Sequence, residues 1–82
     1  MTDASTSAPI EVFTQRHCAS CRRVESYLRD LGVPFEVRDV TSDAAALDEI
    51  FKRGFMTTPV TRIGDHWIAG FKRKEFEQLL NT

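Results

Sequence analysis

The chain has 82 residues, 41% of them hydrophobic, which suits one small domain with a modest core. Its 11 basic and 12 acidic side chains leave a net charge of −1, so there is no global field for holding nucleic acid or an anionic membrane. Two cysteines are too few for a secreted domain that depends on disulfides, and no stretch approaches the roughly 20 apolar residues of a membrane span.

Met1 to Pro9 is small and polar, with neither the basic start nor the apolar centre of a signal peptide. It is expected to be a flexible, frayed tail, residues 1–9, ahead of a single domain at 10–82. A cytoplasmic protein is the corresponding expectation. Ile10-Glu11-Val12-Phe13-Thr14 is rich in β-branched and aromatic residues and partly alternating, as a strand packed inside a sheet would be. From Ala19 to Leu31, Cys21, Val24, Leu28 and Leu31 recur at spacings of three and four with Tyr27 beside them, which predicts a helix that Gly32 stops.

Between this strand and this helix lies Gln15-Arg16-His17-Cys18-Ala19-Ser20-Cys21, which holds both cysteines. At a helix N-terminus the unpaired backbone N–H groups and the positive end of the dipole favour a negative sulfur. Cys18 is therefore expected as an exposed thiolate near neutral pH, with Cys21 one turn further in and more buried. Arg16, His17, Arg22 and Arg23 add positive charge in the same place. A nucleophilic thiolate with a second thiol in reach is what thiol-disulfide exchange requires. The other chemistries these residues permit are a structural disulfide, which would close too short a loop to constrain the unfolded chain much, and a metal half-site, for which a lone Cys-x-x-Cys is a weak signal.

Val33-Pro34 leads into Phe35 to Val40, whose alternation of apolar and charged residues predicts a second strand. Strand, helix, strand implies a right-handed parallel crossover. Thr41, Ser42 and Asp43 are candidate N-caps for a second helix whose apolar face is Leu47, Ile50 and Phe51, with Gly54 as its C-cap and Phe55 making the contact that accompanies such a cap. Val60 to Ile63, a Gly64-Asp65 turn and His66 to Ala69 predict a hairpin. Phe71 to Leu80 is a closing helix, with Phe76, Leu79 and Leu80 on one side.

The order β-α-β-α-β-β-α, with Cys18-Ala19-Ser20-Cys21 after the first strand, Thr58-Pro59-Val60 opening the third and Gly70-Phe71 after the last, resembles the thioredoxin fold in its minimal, glutaredoxin-like form. The resemblance spans roughly Ile10 to Leu80 and implies an α/β protein with a four-stranded mixed sheet flanked by helices. It also implies a dithiol oxidoreductase without a bound cofactor. Cys18 would attack a substrate disulfide and Cys21 would resolve the mixed disulfide. The proline matching Pro59 is cis in that family and faces the cysteines, where the backbone of the preceding residue, here Thr58, pairs with substrate like an added strand.

Departures narrow the reading. The buried acid that thioredoxins carry six residues before the first cysteine is Val12 here, and the dipeptide between the cysteines is Ala-Ser. The Lys and the Gly-Gly-x-x-Asp with which many glutaredoxins hold glutathione are replaced by Gln15 and by Ala69-Gly70-Phe71-Lys72-Arg73. Gly70-Phe71, with His66-Trp67 before it, is closer to the glutaredoxin-like redoxins of class Ib ribonucleotide reductases, although Ser20 stands where those have Gln. The expected substrate-binding set is Arg16, His17, Thr58, Pro59, Gly70 and Phe71. The partners implied are disulfide-bearing proteins and an NADPH-dependent thioredoxin reductase, with glutathione as the alternative electron source and a monomer as the working form. A module of a different class, with cysteines from two chains holding zinc or an iron-sulfur cluster, is the competing reading. His66 is expected at the far end of the sheet, roughly 13–16 Å from the cysteines at about 3.3 Å per residue.

Overall fold

The structure, a computed structural model, describes residues 9–80. The expected tail therefore lies, apart from Pro9, outside the described residues. Seven elements follow one another: β1 Ile10–Thr14, α1 Ala19–Leu31, β2 Glu36–Asp39, α2 Ala44–Lys52, β3 Val60–Ile63, β4 His66–Ala69 and α3 Arg73–Leu80. The four strands form one sheet in the order β2-β1-β3-β4, with β1 and β2 parallel and the other two pairs antiparallel. This is the expected glutaredoxin-like arrangement.

The period-two alternation of the strands divides the core between two faces. Ile10, Val12, Ile63 and Ile68 meet Val24 and Leu28 of α1 and Phe76 of α3 on one side. Phe13 and Val60 meet Ala46 and Ile50 of α2 on the other. β1 lies inside the sheet with only Glu11 short of full burial. Glu11 is tolerated there because cations flank it: Arg62, directly opposite on β3, pairs with it at 2.8 Å, and Arg38 on β2 approaches at 3.5 Å. Arg38 also reaches Glu49 at 2.8 Å and Asp43 at 3.4 Å.

Register decides what stands beside the cysteines. Pairing Phe13 with Val60 and Ile10 with Ile63 sets the start of β3 against the end of β1. The Gly64-Asp65 turn and His66 are thereby sent to the opposite end, where the Gly64 N–H donates to the Pro9 carbonyl at 3.0 Å. His66 lies there, as expected, and is exposed.

Several boundaries differ from the sequence reading. β2 covers Glu36–Asp39, one residue shorter at each end than Phe35 to Val40, and Val37 on this edge strand is 48% exposed. α3 begins at Arg73, two residues after Phe71. The reason is Gly70, whose φ of 81° turns the chain so that Phe71 packs before the helix starts. Phe51, assigned to the apolar face of α2, is 53% exposed. Ala46 and Ile50 take the sheet-facing stripe, and Phe51 lies one helical step beyond it. The C-cap of α2 is Arg53, and Gly54 follows at φ 87°. The Phe55 N–H then donates back to the Ile50 carbonyl at 2.9 Å, and its side chain packs on the second core cluster.

Of the three N-cap candidates for α2, Asp43 serves, its carboxylate accepting from the Ala46 N–H at 3.1 Å. That bond, followed by the charge of Arg38, holds the Asp43 carboxyl below its ordinary 3.8. A carboxyl depressed in the folded state adds stability that is present above its unfolded value and lost as pH falls through its folded one. Asp43→Ala is expected to lower the thermal midpoint at pH 7, and the gap from the unaltered protein should narrow below pH 3.8. Melting curves from pH 2 to 7 check this, and a gap independent of pH would contradict it.

Candidate active site

β1 ends at Thr14, and Gln15, Arg16 and His17 carry the chain from the end of the sheet into α1. His17 makes the corner with a left-handed backbone at φ 57°, a region that costs most side chains free energy and in which His is among the better tolerated. Cys18 is thereby left extended, at φ −116° and ψ 101°, as the N-cap of α1. Its Sγ accepts from the Cys21 N–H at 3.2 Å, in the role a Ser or Asp oxygen usually fills. The first turn of α1 contains no acid. Helix dipole, free N–H groups and the neighbouring Arg16, Arg22 and Arg23 all favour negative charge on this sulfur.

Cys18 and Cys21 are joined as a disulfide, with Cα atoms 5.3 Å apart. The sulfurs differ in access because α1 turns one outward and the other toward the sheet. Cys18 is half-buried at the surface, whereas Cys21 is 2% exposed and belongs to the buried stripe of α1 with Val24 and Leu28. An incoming thiol or disulfide can therefore meet Cys18 and not Cys21.

The second wall is the start of β3. The Thr58–Pro59 peptide is cis, as the resemblance implied. Pro59 is buried, and Thr58 contacts Cys18, whose Sγ lies 3.9 Å from the Thr58 carbonyl oxygen and 3.8 Å from its hydroxyl. The same hydroxyl donates to Gln15 Oε1 at 2.9 Å. A hydroxyl carries one proton, so Thr58 can serve either Gln15 or a Cys18 thiolate. The Gln15 amide can turn its own N–H toward the hydroxyl when the sulfur takes that proton. Sequence reasoning noticed Gln15 only as the absence of a Lys and missed this link, which depends on a sequence separation of 43.

Gly70 closes the site from the third side, its N–H donating to the Pro59 carbonyl at 2.8 Å. Phe71 beyond it packs edge-on against Tyr27 at 5.6 Å, with Phe76 at 6.1 Å. Of the residues singled out in the sequence, Cys18, Cys21, Thr58, Pro59 and Gly70 converge. Arg16 and His17 stand exposed on the turn beside them, and Phe71 borders the site from the α1 side. Trp67 lies on the opposite face of the sheet, stacked between Phe13 and Phe55 and under the Arg53 guanidinium at 4.5 Å. Next to Thr58 is an apolar rim the sequence did not announce, with Met56 84% and Phe51 53% exposed around a hollow shared with Gln15 and Thr57. Among the described residues no cluster of three or more His, Cys, Asp and Glu side chains is placed to hold a metal ion.

Comparisons with known proteins agree with this geometry. Residues 10–68 match the family model described as Glutaredoxin. The gene 56 protein of Mycobacterium phage D29 is 31% identical over 78 residues, covering 89% of this chain and 83% of that protein. Among solved structures, the thioredoxin-like protein BC3987 superposes with a TM-score of 0.80 at 35% identity, over 85% of this chain and 97% of that one. The glutaredoxin-like protein NrdH-redoxin from Escherichia coli does so with a TM-score of 0.81 at 25% identity, over 87% and 93%.

Proposed function

This chain belongs to the glutaredoxin family of thiol-disulfide oxidoreductases, and on that premise we propose that it delivers electrons to protein disulfides and is recharged by a thioredoxin reductase-type flavoprotein. The observation that carries the proposal is the unequal pair at the head of α1: a reachable Cys18 at the N-cap with Cys21 sealed behind it. In the reduced protein the Cys18 thiolate attacks one sulfur of a partner disulfide. A Cys18–partner bond forms as the partner's S–S bond breaks, and the partner's other sulfur leaves as a thiolate that takes up a proton. The Cys21 thiol gives up its proton and attacks Cys18 Sγ, releasing the partner's second thiol. Two electrons pass to the partner and the Cys18–Cys21 disulfide remains. Thr58 offers backbone for strand-like pairing of the substrate, with Arg16 and His17 beside it and Pro59, Gly70 and Phe71 shaping its approach.

The choice of reductant rests on charge. Glutathione carries two carboxylates and one ammonium group, so a site suited to it needs cations for the first and an acid for the second. From Gly70 to Lys74 the segment bordering the site contains no acid, and Glu75 lies in the first turn of α3. The exposed Phe51 and Met56 suit a protein surface better than a small polar thiol. The thioredoxin-like activity profile named for the E. coli NrdH-redoxin is carried to this chain as part of the proposal. So are a monomeric working form, the absence of a bound cofactor and a reducing, cytoplasmic setting.

The test follows NADPH oxidation with a small disulfide substrate, supplying either thioredoxin reductase alone or glutathione with glutathione reductase. Turnover is expected to be at least about tenfold faster with the flavoprotein alone, the ratio that corresponds to roughly 1.4 kcal/mol of barrier. Faster turnover with the glutathione couple would overturn the choice of donor.

A further inference from the structure

A groove runs along α1 on the side of the site away from the apolar rim. Its cavity volume is about 410 Å³, and its walls include Arg22, Arg23, Tyr27, Asp30, Phe71 and Arg73. It continues the active site: Arg22 follows Cys21, and Phe71 follows the Gly70 that is bonded to Pro59. Accepting the oxidoreductase reading above, we infer that this groove takes an acidic stretch of the partner protein's own chain, adjacent in sequence to the cysteine that reacts with Cys18.

Charge comes first. Among the described residues Arg16, Arg22, Arg23, Lys72 and Lys74 make no ion pair, whereas the recorded pairs lie elsewhere: within Arg38, Arg62, Glu11, Asp43 and Glu49 under α2, or as local helix pairs. Arg73 has only an exposed partner one turn on, Glu77 at 3.4 Å, and its guanidinium lies 5.9 Å from the Tyr27 ring. Apart from Arg53, which lies over Trp67 on the other face, the cations without an ion pair among the described residues thus belong to the turn before Cys18, the start of α1 and the segment from Lys72 to Lys74. The cations lining the groove itself are all arginines, whose planar fork pairs with carboxylates bidentately, and they sit beside two aromatic rings that can anchor an apolar side chain.

Length decides between ligands. At 1.5 Å rise per residue, Arg22 stands about 6 Å along α1 from Cys18 and Asp30 about 18 Å. A tripeptide thiol spans at most about 10 Å, so glutathione joined to Cys18 cannot fill the groove. An extended polypeptide rising about 3.3 Å per residue reaches the far end of the groove with five or six residues counted from the reacting cysteine. Its acidic positions would fall about two residues from the reacting cysteine, opposite Arg22 and Arg23, and about four residues from it, opposite Arg73 beside Tyr27, and Asp30 at the far end disfavours a further acid there.

The experiment measures the rate constant for exchange between the reduced full chain and synthetic disulfide peptides. One pair carries Glu, or Gln, at positions two to four after the reacting cysteine, a second pair carries them before it, and hydroxyethyl disulfide serves as an uncharged reference. With one acidic orientation the preference over its Gln counterpart should be about tenfold at low salt and should vanish near 1 M salt, because steering by exposed charges is screened. Within the doubly substituted Arg23→Glu, Arg73→Glu protein, the ratio of acidic to neutral peptide should fall below one. Equal rates for acidic and neutral peptides, with normal exchange on hydroxyethyl disulfide, would overturn the groove assignment alone. A preference unchanged by the double substitution would do the same, because charges reversed inside the groove must act on a peptide that lies in it. No exchange with hydroxyethyl disulfide would overturn the oxidoreductase reading beneath it. An oligonucleotide of matched charge that displaces the acidic peptide at lower concentration would reassign the groove to nucleic acid.

Discussion

Cys18→Ser is expected to abolish disulfide exchange, and Cys21→Ser is expected to leave its first half intact and trap a mixed disulfide with the substrate. The asymmetry follows from where α1 holds the two sulfurs. Cys18 caps the helix and is reachable, so replacing it removes the nucleophile, a loss on the order of a thousandfold or more. Cys21 is 2% exposed and meets no external sulfur. Its task is to attack Cys18 Sγ from within, and without it the mixed disulfide waits for an outside thiol. Mass spectrometry of each variant after incubation with a disulfide substrate distinguishes the outcomes, since only Cys21→Ser should gain the mass of half the substrate. Alkylation offers a second check, with Cys18 reacting first in the reduced protein. Equal alkylation rates would contradict the assignment, and a mixed disulfide that accumulates on Cys21 would reverse it.

Phe13→Ala is expected to cost about 3–5 kcal/mol of stability, the range for truncating a buried aromatic side chain. Phe13 is fully buried between the sheet and α2, stacks on Trp67 at 5.8 Å and lies 5.4 Å from the Arg38 guanidinium. Small domains have little stability to lose, so this one substitution should remove a large part of the total. It should also loosen the strand that delivers the chain to Cys18. Phe13→Leu keeps most of the volume and is expected to lose less than about 1.5 kcal/mol. Denaturant unfolding followed by circular dichroism measures both, and Trp67 fluorescence reports on the same cluster. A loss below about 1 kcal/mol for Phe13→Ala would mean that α2 can collapse onto the gap.

Much of this was readable in the chain, because some signals are local. The β-branched and aromatic run Ile10 to Thr14 and the stripe Cys21, Val24, Leu28 name a strand and a helix by themselves. Cys-x-x-Cys between them places a sulfur at a helix start, which determines its chemistry before any tertiary contact forms. Gly32 stops α1 in the left-handed conformation expected of it, at φ 75°. What failed locally is also instructive. Phe71 reads as helical, yet the turn at Gly70 assigns it to packing on Tyr27. Phe51 reads as core, yet only the position of the sheet beneath α2 decides which side of that helix is inside.

Residues that meet across long separations leave no local signal: Thr58 beside Cys18 is expected only through the family resemblance, and its bond to Gln15 is not expected at all. Thr58 reaches Cys18 and Gln15 because Phe13 pairs with Val60, and register is a property of two strands together. Glu11 survives on a central strand because Arg38 and Arg62 flank it from two others. The groove of Arg22, Arg23 and Arg73 exists because α3 returns beside α1. By itself the sequence determined the kinds of element, their order and the redox pair, all governed by neighbours within one turn or one pleat. Tertiary structure decided which walls face that pair and which charges stay unpaired around it, because those depend on how the sheet is ordered and on where each helix lies across it.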